Sequence, residues 1–243
     1  MRSKWFVNIK LAHRGLHNDI YPENSLGAYE NAIKHGFAIE LDVRVLKDGN
    51  LAIFHDPNLQ RMCGVDKNIE DITLDEMKSY RLLSSDYTIP TLQEVLELVD
   101  GKTPIMIELK PVKRRSKIEE KVYNVIKNYQ GEIAVKSFNP LTMLWYKRNA
   151  PEIIRGMLSS YFHNTNLPKI YRALIKRLTL FKLIKPDFVS YDFNNLPTKY
   201  LKNKNVPVLA WTITSKDMEE EALKVADNVI FQDYIPNSPN NKK

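Results

Sequence analysis

Two short stretches of this chain carry side chains that could do chemistry together. Leu11-Ala-His13-Arg14-Gly15 sets an imidazole, a guanidinium and a glycine side by side where an apolar run ends. Ile39-Glu40-Leu41-Asp42-Val43 alternates apolar and acidic residues, the period-two pattern of a strand. As a strand it points Glu40 and Asp42 to one side and its apolar residues to the other. Paired carboxylates on an apolar strand repel each other unless a cation or a proton lies between them. A hard divalent cation held by oxygen ligands is the simplest resolution.

Two further apolar runs end in the same kinds of group. Leu51-Ala-Ile-Phe54 is followed by His55-Asp56, and Ile105-Met-Ile-Glu108-Leu-Lys110 contributes Glu108 and Lys110. A strand-end charge taken alone is more often a structural ion pair, but four runs ending this way argue for a common site. Phosphodiester cleavage suits the set. Glu40, Asp42 and Glu108 would bind one hard cation, and Arg14 offers a planar fork matched to phosphate oxygens. Lys110 adds a point charge for a transition state gaining negative charge. His13 and His55 suit a general base and a general acid, since imidazole titrates near neutral pH.

The elements that must position these groups read as strands alternating with helices. Apolar runs with β character fall at 8–12, 37–43, 51–54, 104–109, 132–137, 153–158, 187–191, 206–212 and 228–231. Helical stretches lie between most of them. Ser25 or Asn24 caps one over 25–35, and Thr73-Leu-Asp-Glu76 and Thr91-Leu-Gln-Glu94 read as capping boxes. Asn139-Pro140 opens another, and 117–129 and 215–225 complete the set, with Thr214 as a cap for the last. This alternation predicts an α/β fold, a (β/α)8 barrel, whose active site lies where the strands end. Nine runs compete for eight places. The link from Val43 to Leu51 is too short for a helical crossover and carries a hairpin signal at Asp48-Gly49, so part of 43–54 should run antiparallel. Residues 1–243 read as a single domain, with 56–103 as a small helical insertion over the active face.

Composition narrows the partners. With 243 residues, 43% of them hydrophobic, the chain can bury a sizeable core. A lone cysteine, Cys63, excludes an intramolecular disulfide and a thiolate metal cluster. The formal charge of +7 favours anionic partners, but six basic residues and no acidic ones fall between Lys169 and Lys185. So local an excess argues against a chain-wide nucleic-acid surface. Ile170, Leu174, Leu178 and Phe181 recur there at helical spacing, which predicts a barrel helix with a solvated basic face. The sharper reading of 168–185 is a peripheral contact with a membrane surface. The N-terminus lacks a signal-peptide core and no stretch approaches membrane-spanning length, so the expected compartment is the cytoplasm.

The ordered motifs His13-Arg14-Gly15, Pro22-Glu23-Asn24-Ser25, Glu40-Leu41-Asp42-Val43, Lys47-Asp48-Gly49, His55-Asp56, Pro90-Thr91-Leu92-Gln93-Glu94, Glu108-Leu109-Lys110, Ser137-Phe138 and Trp211-Thr212 resemble those of the glycerophosphodiester phosphodiesterases. The resemblance spans nearly the whole chain. It implies a barrel of the kind reasoned above, with 56–103 covering the family's insertion. It also implies hydrolysis of a small-molecule glycerophosphodiester to sn-glycerol 3-phosphate and an alcohol, with one divalent cation, Mg2+ or Ca2+. Carried over by residue, His13 and His55 are the catalytic acid/base pair, Glu40, Asp42 and Glu108 hold the metal, and Arg14 and Lys110 face the phosphate. Phe138 and Trp211 would line the substrate pocket. Attack by the neighbouring glycerol hydroxyl, giving a cyclic phosphate, and direct attack by water both remain open. Met62-Cys63 stands where the family often has threonines, and Asn228-Val-Ile-Phe-Gln-Asp233 lacks a glycine and a threonine of the family's late segment. Two other readings are a lysophospholipase D acting on membrane lysophospholipids and a non-catalytic barrel that binds a phosphodiester. The last would be marked by loss of a histidine or a metal carboxylate, and this chain keeps them all.

Overall fold

The computed structural model describes residues 3–110, 117–162 and 168–236. Its strands are β1 (Leu11–Ala12), β2 (Ala38–Val45), β3 (Leu51–Ile53), β4 (Ile105–Leu109), β5 (Ile133–Ser137), β6 (Ile154–Ser159), β7 (Phe188–Asp192), β8 (Val208–Ile213) and β9 (Asn228–Phe231). Every residue of β2, β4, β5 and β6 is buried, the signature of parallel strands covered on both faces. The fold is the predicted (β/α)8 barrel, with β3 as an added antiparallel strand. The chain divides into two compact units, residues 12–133 and residues 1–11 with 134–243.

In the 12–133 unit, β2 is the strand that places the chemistry. It pairs in parallel with β4, which sets Asp42 opposite Glu108, and antiparallel with β3, which sets Val43 opposite Ile53. The short link through Asp48-Gly49 therefore returns the chain as the hairpin signal predicts. Ser25 starts the helix Leu26–Lys34, its Oγ accepting from the Ala28 amide at 3.1 Å. Residues after β3 pack back on it, with Ala52, Phe54, Leu59, Met62, Ile69, Met77 and Leu82 buried in one cluster. Thr91 forms the full capping box of the helix Leu92–Val99. Thr73 forms only half of one. Its hydroxyl accepts from the Glu76 amide, but the Glu76 carboxylate is taken by Lys67 Nζ at 2.6 Å and the Tyr80 hydroxyl at 2.8 Å.

In the other unit, β5 to β9 run in parallel in chain order. The run expected at 8–12 shortens to β1, because Trp5–Asn8 folds as a helical turn that buries Trp5 and Phe6. Asn228 ties this turn down, its Nδ2 donating to the Phe6 carbonyl at 2.9 Å and the Ile9 carbonyl at 2.7 Å. Its place in the late segment thus has a structural cause. Asn228→Ala should destabilise the fold by about 1–3 kcal/mol for each carbonyl it strands. Thermal or urea unfolding measures that, and an unchanged midpoint would contradict it. Ser215, not Thr214, caps the helix Lys216–Leu223 by accepting from the Met218 amide at 3.2 Å. Thr214 sits one residue too early for that amide, and its hydroxyl lies 3.7 Å from Met218 Sδ. No helix among the described residues is long and apolar enough to cross a membrane.

Candidate active site

Period-two alternation puts Glu40 and Asp42 on one side of β2, and the parallel register brings Glu108 beside them. One oxygen from each of these three buried carboxylates lies within 4.8 Å of the others. Lys110 reaches into the same group, with Nζ 2.9 Å from Asp42 Oδ1 and 2.5 Å from Glu108 Oε1. Burial would push the Asp42 carboxyl up, but the charges of Lys110, His55, Arg14 and His13 override it and hold the group well below the usual carboxylate range. Burial likewise opposes the Lys110 charge. Asp42 and Glu108 outweigh it and raise the ammonium above its ordinary value, so the lysine stays charged. An all-oxygen donor set of this charge fits a hard divalent cation.

The loop after β1 closes over this cluster. The Arg14 amide donates to Glu40 Oε2 at 3.2 Å, its Nη1 donates to Glu23 Oε1 at 2.8 Å, and its Nε lies 3.5 Å from Asp42 Oδ2. His13 Nε2 stands 4.0 Å from Glu40 Oε2. Arg14 and Gly15 both hold positive φ, 58° and 81°. A Cβ on Gly15 would lie 2.8 Å from Ala28 Cβ and 2.9 Å from Tyr29 Cδ1, so the glycine lets the loop seat against the following helix. Asn24 completes the cradle. Its Nδ2 donates to Asp42 Oδ2 at 3.0 Å, and its Oδ1 accepts from the buried Tyr29 hydroxyl at 2.8 Å.

His55 follows β3, and Arg44 fixes the chain there by donating to the His55 carbonyl from Nε at 2.9 Å and Nη2 at 2.7 Å. Its imidazole Nδ1 lies 2.7 Å from Asp56 Oδ1. Asp56 thus orients the ring as well as turning the loop. Arg61, from the short helix Gln60–Cys63, then links Asp56 to Glu23. Its Nε donates to Asp56 Oδ2 at 2.6 Å, while Nη1 and Nη2 donate to the two oxygens of Glu23 at 2.9 and 2.6 Å. Burial pushes the Asp56 carboxyl up, but Arg61 and His55 outweigh it and bring it from 3.8 to about 2. A carboxyl depressed on folding stabilises the protein fully above 3.8, and that contribution fades as pH falls towards about 2. Asp56→Asn should therefore cost stability at neutral pH and progressively less in acid. Melting curves across pH test this, and a difference that does not shrink would contradict it.

The expected site residues of the 12–133 unit, His13, Arg14, Glu40, Asp42, His55, Glu108 and Lys110, therefore stand in one connected set. Lys110, expected to face phosphate, is engaged with the carboxylates. Phe138 and Trp211 belong to the other unit, where their rings pack edge to face at 5.8 Å and Phe162 meets Phe138 edge to face at 5.2 Å. Sequence spacing marks Asn24 as a helix cap and a motif residue, not as a ligand of Asp42, and carries no signal for Arg61. Met62 is core, and burial pushes the Cys63 thiol up to about 11.

Known proteins match both the chain and its fold. The glycerophosphoryl diester phosphodiesterase family model matches residues 13–236. A glycerophosphodiester phosphodiesterase of Caldanaerobacter subterraneus is 30% identical over 237 residues, covering 92% of this chain and 93% of that one. Another, from Bacillus altitudinis, is 39% identical over 160 residues, 61% of this chain and 65% of the relative. Among solved structures, a phosphodiesterase of Oleispira antarctica in complex with its product sn-glycerol-3-phosphate is similar with a TM-score of 0.79. That match has 25% identity and covers 95% of this chain and 94% of the other. A site of carboxylates, imidazoles and cations, a family match over nearly all of the chain and a full-length structural likeness agree: this protein is an enzyme of the glycerophosphodiester phosphodiesterase family.

Proposed function

We propose that this enzyme hydrolyses a glycerophosphodiester to sn-glycerol 3-phosphate and an alcohol, using one divalent cation, Mg2+ or Ca2+. The observation that carries the reading is the trio of Glu40, Asp42 and Glu108, buried within 4.8 Å of one another beside His13 and Arg14. These three would hold the cation, which supplies charge neutralisation and polarises a phosphoryl oxygen. Arg14 offers its guanidinium to a non-bridging phosphate oxygen, and Lys110 keeps the carboxylates compensated while adding positive potential. One of His13 and His55 takes the proton from the attacking hydroxyl, and the other gives a proton to the oxygen of the departing alcohol. That division of labour serves attack by water and attack by the glycerol hydroxyl alike. Phe138 and Trp211 are assigned to the substrate pocket, and residues 1–243 to one catalytic domain with 56–103 as its insertion.

The product bound to the Oleispira relative supports this choice of reaction. The test is release of sn-glycerol 3-phosphate from glycerophosphocholine, glycerophosphoethanolamine and glycerophosphoglycerol, assayed beside a lysophospholipid. Turnover of at least one soluble diester is expected. Cleavage of the lysophospholipid alone would move the assignment to a lysophospholipase D, and no turnover of any would favour a binding barrel.

A further inference from the structure

The helix Lys169–Lys176 does not sit in the fold as its periodicity predicts. Its spacing predicts that Ile170 and Leu174 face the barrel with Leu178, yet only Leu178 is buried and the helix itself buries no residue. Ile170 is 64% exposed, Tyr171 58% and Leu174 40%, and these three share one face at helical spacing. Leu141 and Leu183 of the same unit are open as well, at 63% and 46%, as are Leu223, Val225 and Ile235 further along the chain. Pro140 and Leu174 line one cavity of about 100 Å3 together with Phe138, Leu158, Ile175 and Leu180, so Leu141 and the helix belong to neighbouring surface.

The basic residues of the stretch are divided by this geometry. Arg172 and Lys176 turn inward: Arg172 Nη1 donates to the Phe162 carbonyl at 3.2 Å, and Lys176 Nζ lies 4.9 Å from the Tyr161 ring centre. Lys169 and Arg177 stay exposed at the two ends of the apolar face, and Lys182 and Lys185 stay exposed beyond it. No acidic residue occurs from 168 to 186. An open apolar face with a basic rim is costly in water and matches the boundary of an anionic bilayer, where apolar side chains enter the acyl layer and cations meet the headgroups.

We infer that the face made by Ile170, Tyr171 and Leu174, rimmed by Lys169, Arg177, Lys182 and Lys185, docks this enzyme on an anionic lipid surface. This goes beyond the proposed hydrolysis and does not depend on it, because docking is read by sedimentation without substrate.

The probe is cosedimentation with vesicles of phosphatidylcholine alone and of phosphatidylcholine with phosphatidylglycerol. The full chain should sediment with the anionic vesicles, weakly or not at all with the neutral ones, and less as salt rises. The exposed double variant Ile170→Asp, Tyr171→Ser should lower partitioning about tenfold or more. Lys169→Gln and Arg177→Gln should each lower it about fivefold. Melting temperature and turnover of a soluble diester should not change in these variants, which separates lost docking from lost folding. Equal sedimentation with neutral vesicles, none with either, or undiminished binding by the double variant would each overturn the inference. Capture of a protein partner on this face, with no vesicle binding, would overturn it too.

Discussion

Replacing His13 or His55 with alanine should lower release of sn-glycerol 3-phosphate by about 10²–10⁴-fold while leaving the fold intact. The size follows from the task, since each ring is assigned one proton transfer that water performs poorly in its place. Fold retention follows from the surroundings. His13 sits in the loop after β1, which the Arg14 amide anchors to Glu40, and His55 hangs from a chain segment that Arg44 holds through the backbone carbonyl, not through the ring. The double variant should lose little more than the worse single one, because two groups acting in one step do not contribute independently. Arg61→Ala should give a smaller loss, since it frees Asp56 and Glu23 without removing a reacting group. Circular dichroism and a product assay on the same preparations check all four. A histidine variant with near-normal turnover would remove that residue from the mechanism.

The carboxylates should separate activity from stability. Glu40→Gln and Asp42→Asn should each abolish turnover, because each removes a charged oxygen ligand. Their stabilities should differ. Glu40→Gln keeps an oxygen that can accept from the Arg14 amide, so the melting temperature should move little. Asp42→Asn leaves Lys110 and Arg14 as buried cations with one carboxylate fewer. Breaking a buried charge pair by removing one partner costs about 3–5 kcal/mol, so this variant should melt markedly lower. Equal melting of the two variants would contradict the assigned pairing of Asp42 with Lys110.

Much of the site was legible in the chain because its residues sit within strands or just after them. There the period-two pattern fixes which side chains share a face, and the strand run fixes where they stop. His13, Glu40, Asp42, His55 and Glu108 all fall under that rule. Arg61 and Asn24 do not. Their partners Glu23, Asp56 and Asp42 lie across loops, so pairing is decided by tertiary approach and no local spacing announces it. Helix 169–176 shows the converse limit. Its 3.6-residue period tells which residues share a face but not whether that face meets core or solvent. The cap of the helix Lys216–Leu223 moved by one residue for a similar reason, since Thr214 and Ser215 are both chemically able and only backbone geometry chooses. The half-formed box at Thr73 turns on Lys67 and Tyr80, which outcompete the helix for Glu76.

The most direct measurement is turnover of a glycerophosphodiester by the intact enzyme after divalent ions are stripped with a chelator and then returned. Stripped enzyme should release no sn-glycerol 3-phosphate, and Mg2+ or Ca2+ should restore release and raise the melting temperature, as a ligand that binds only the folded state must. The melting shift should be absent in Glu40→Gln. Full turnover without the metal, or a shift of the same size in Glu40→Gln, would contradict a cation held by Glu40, Asp42 and Glu108.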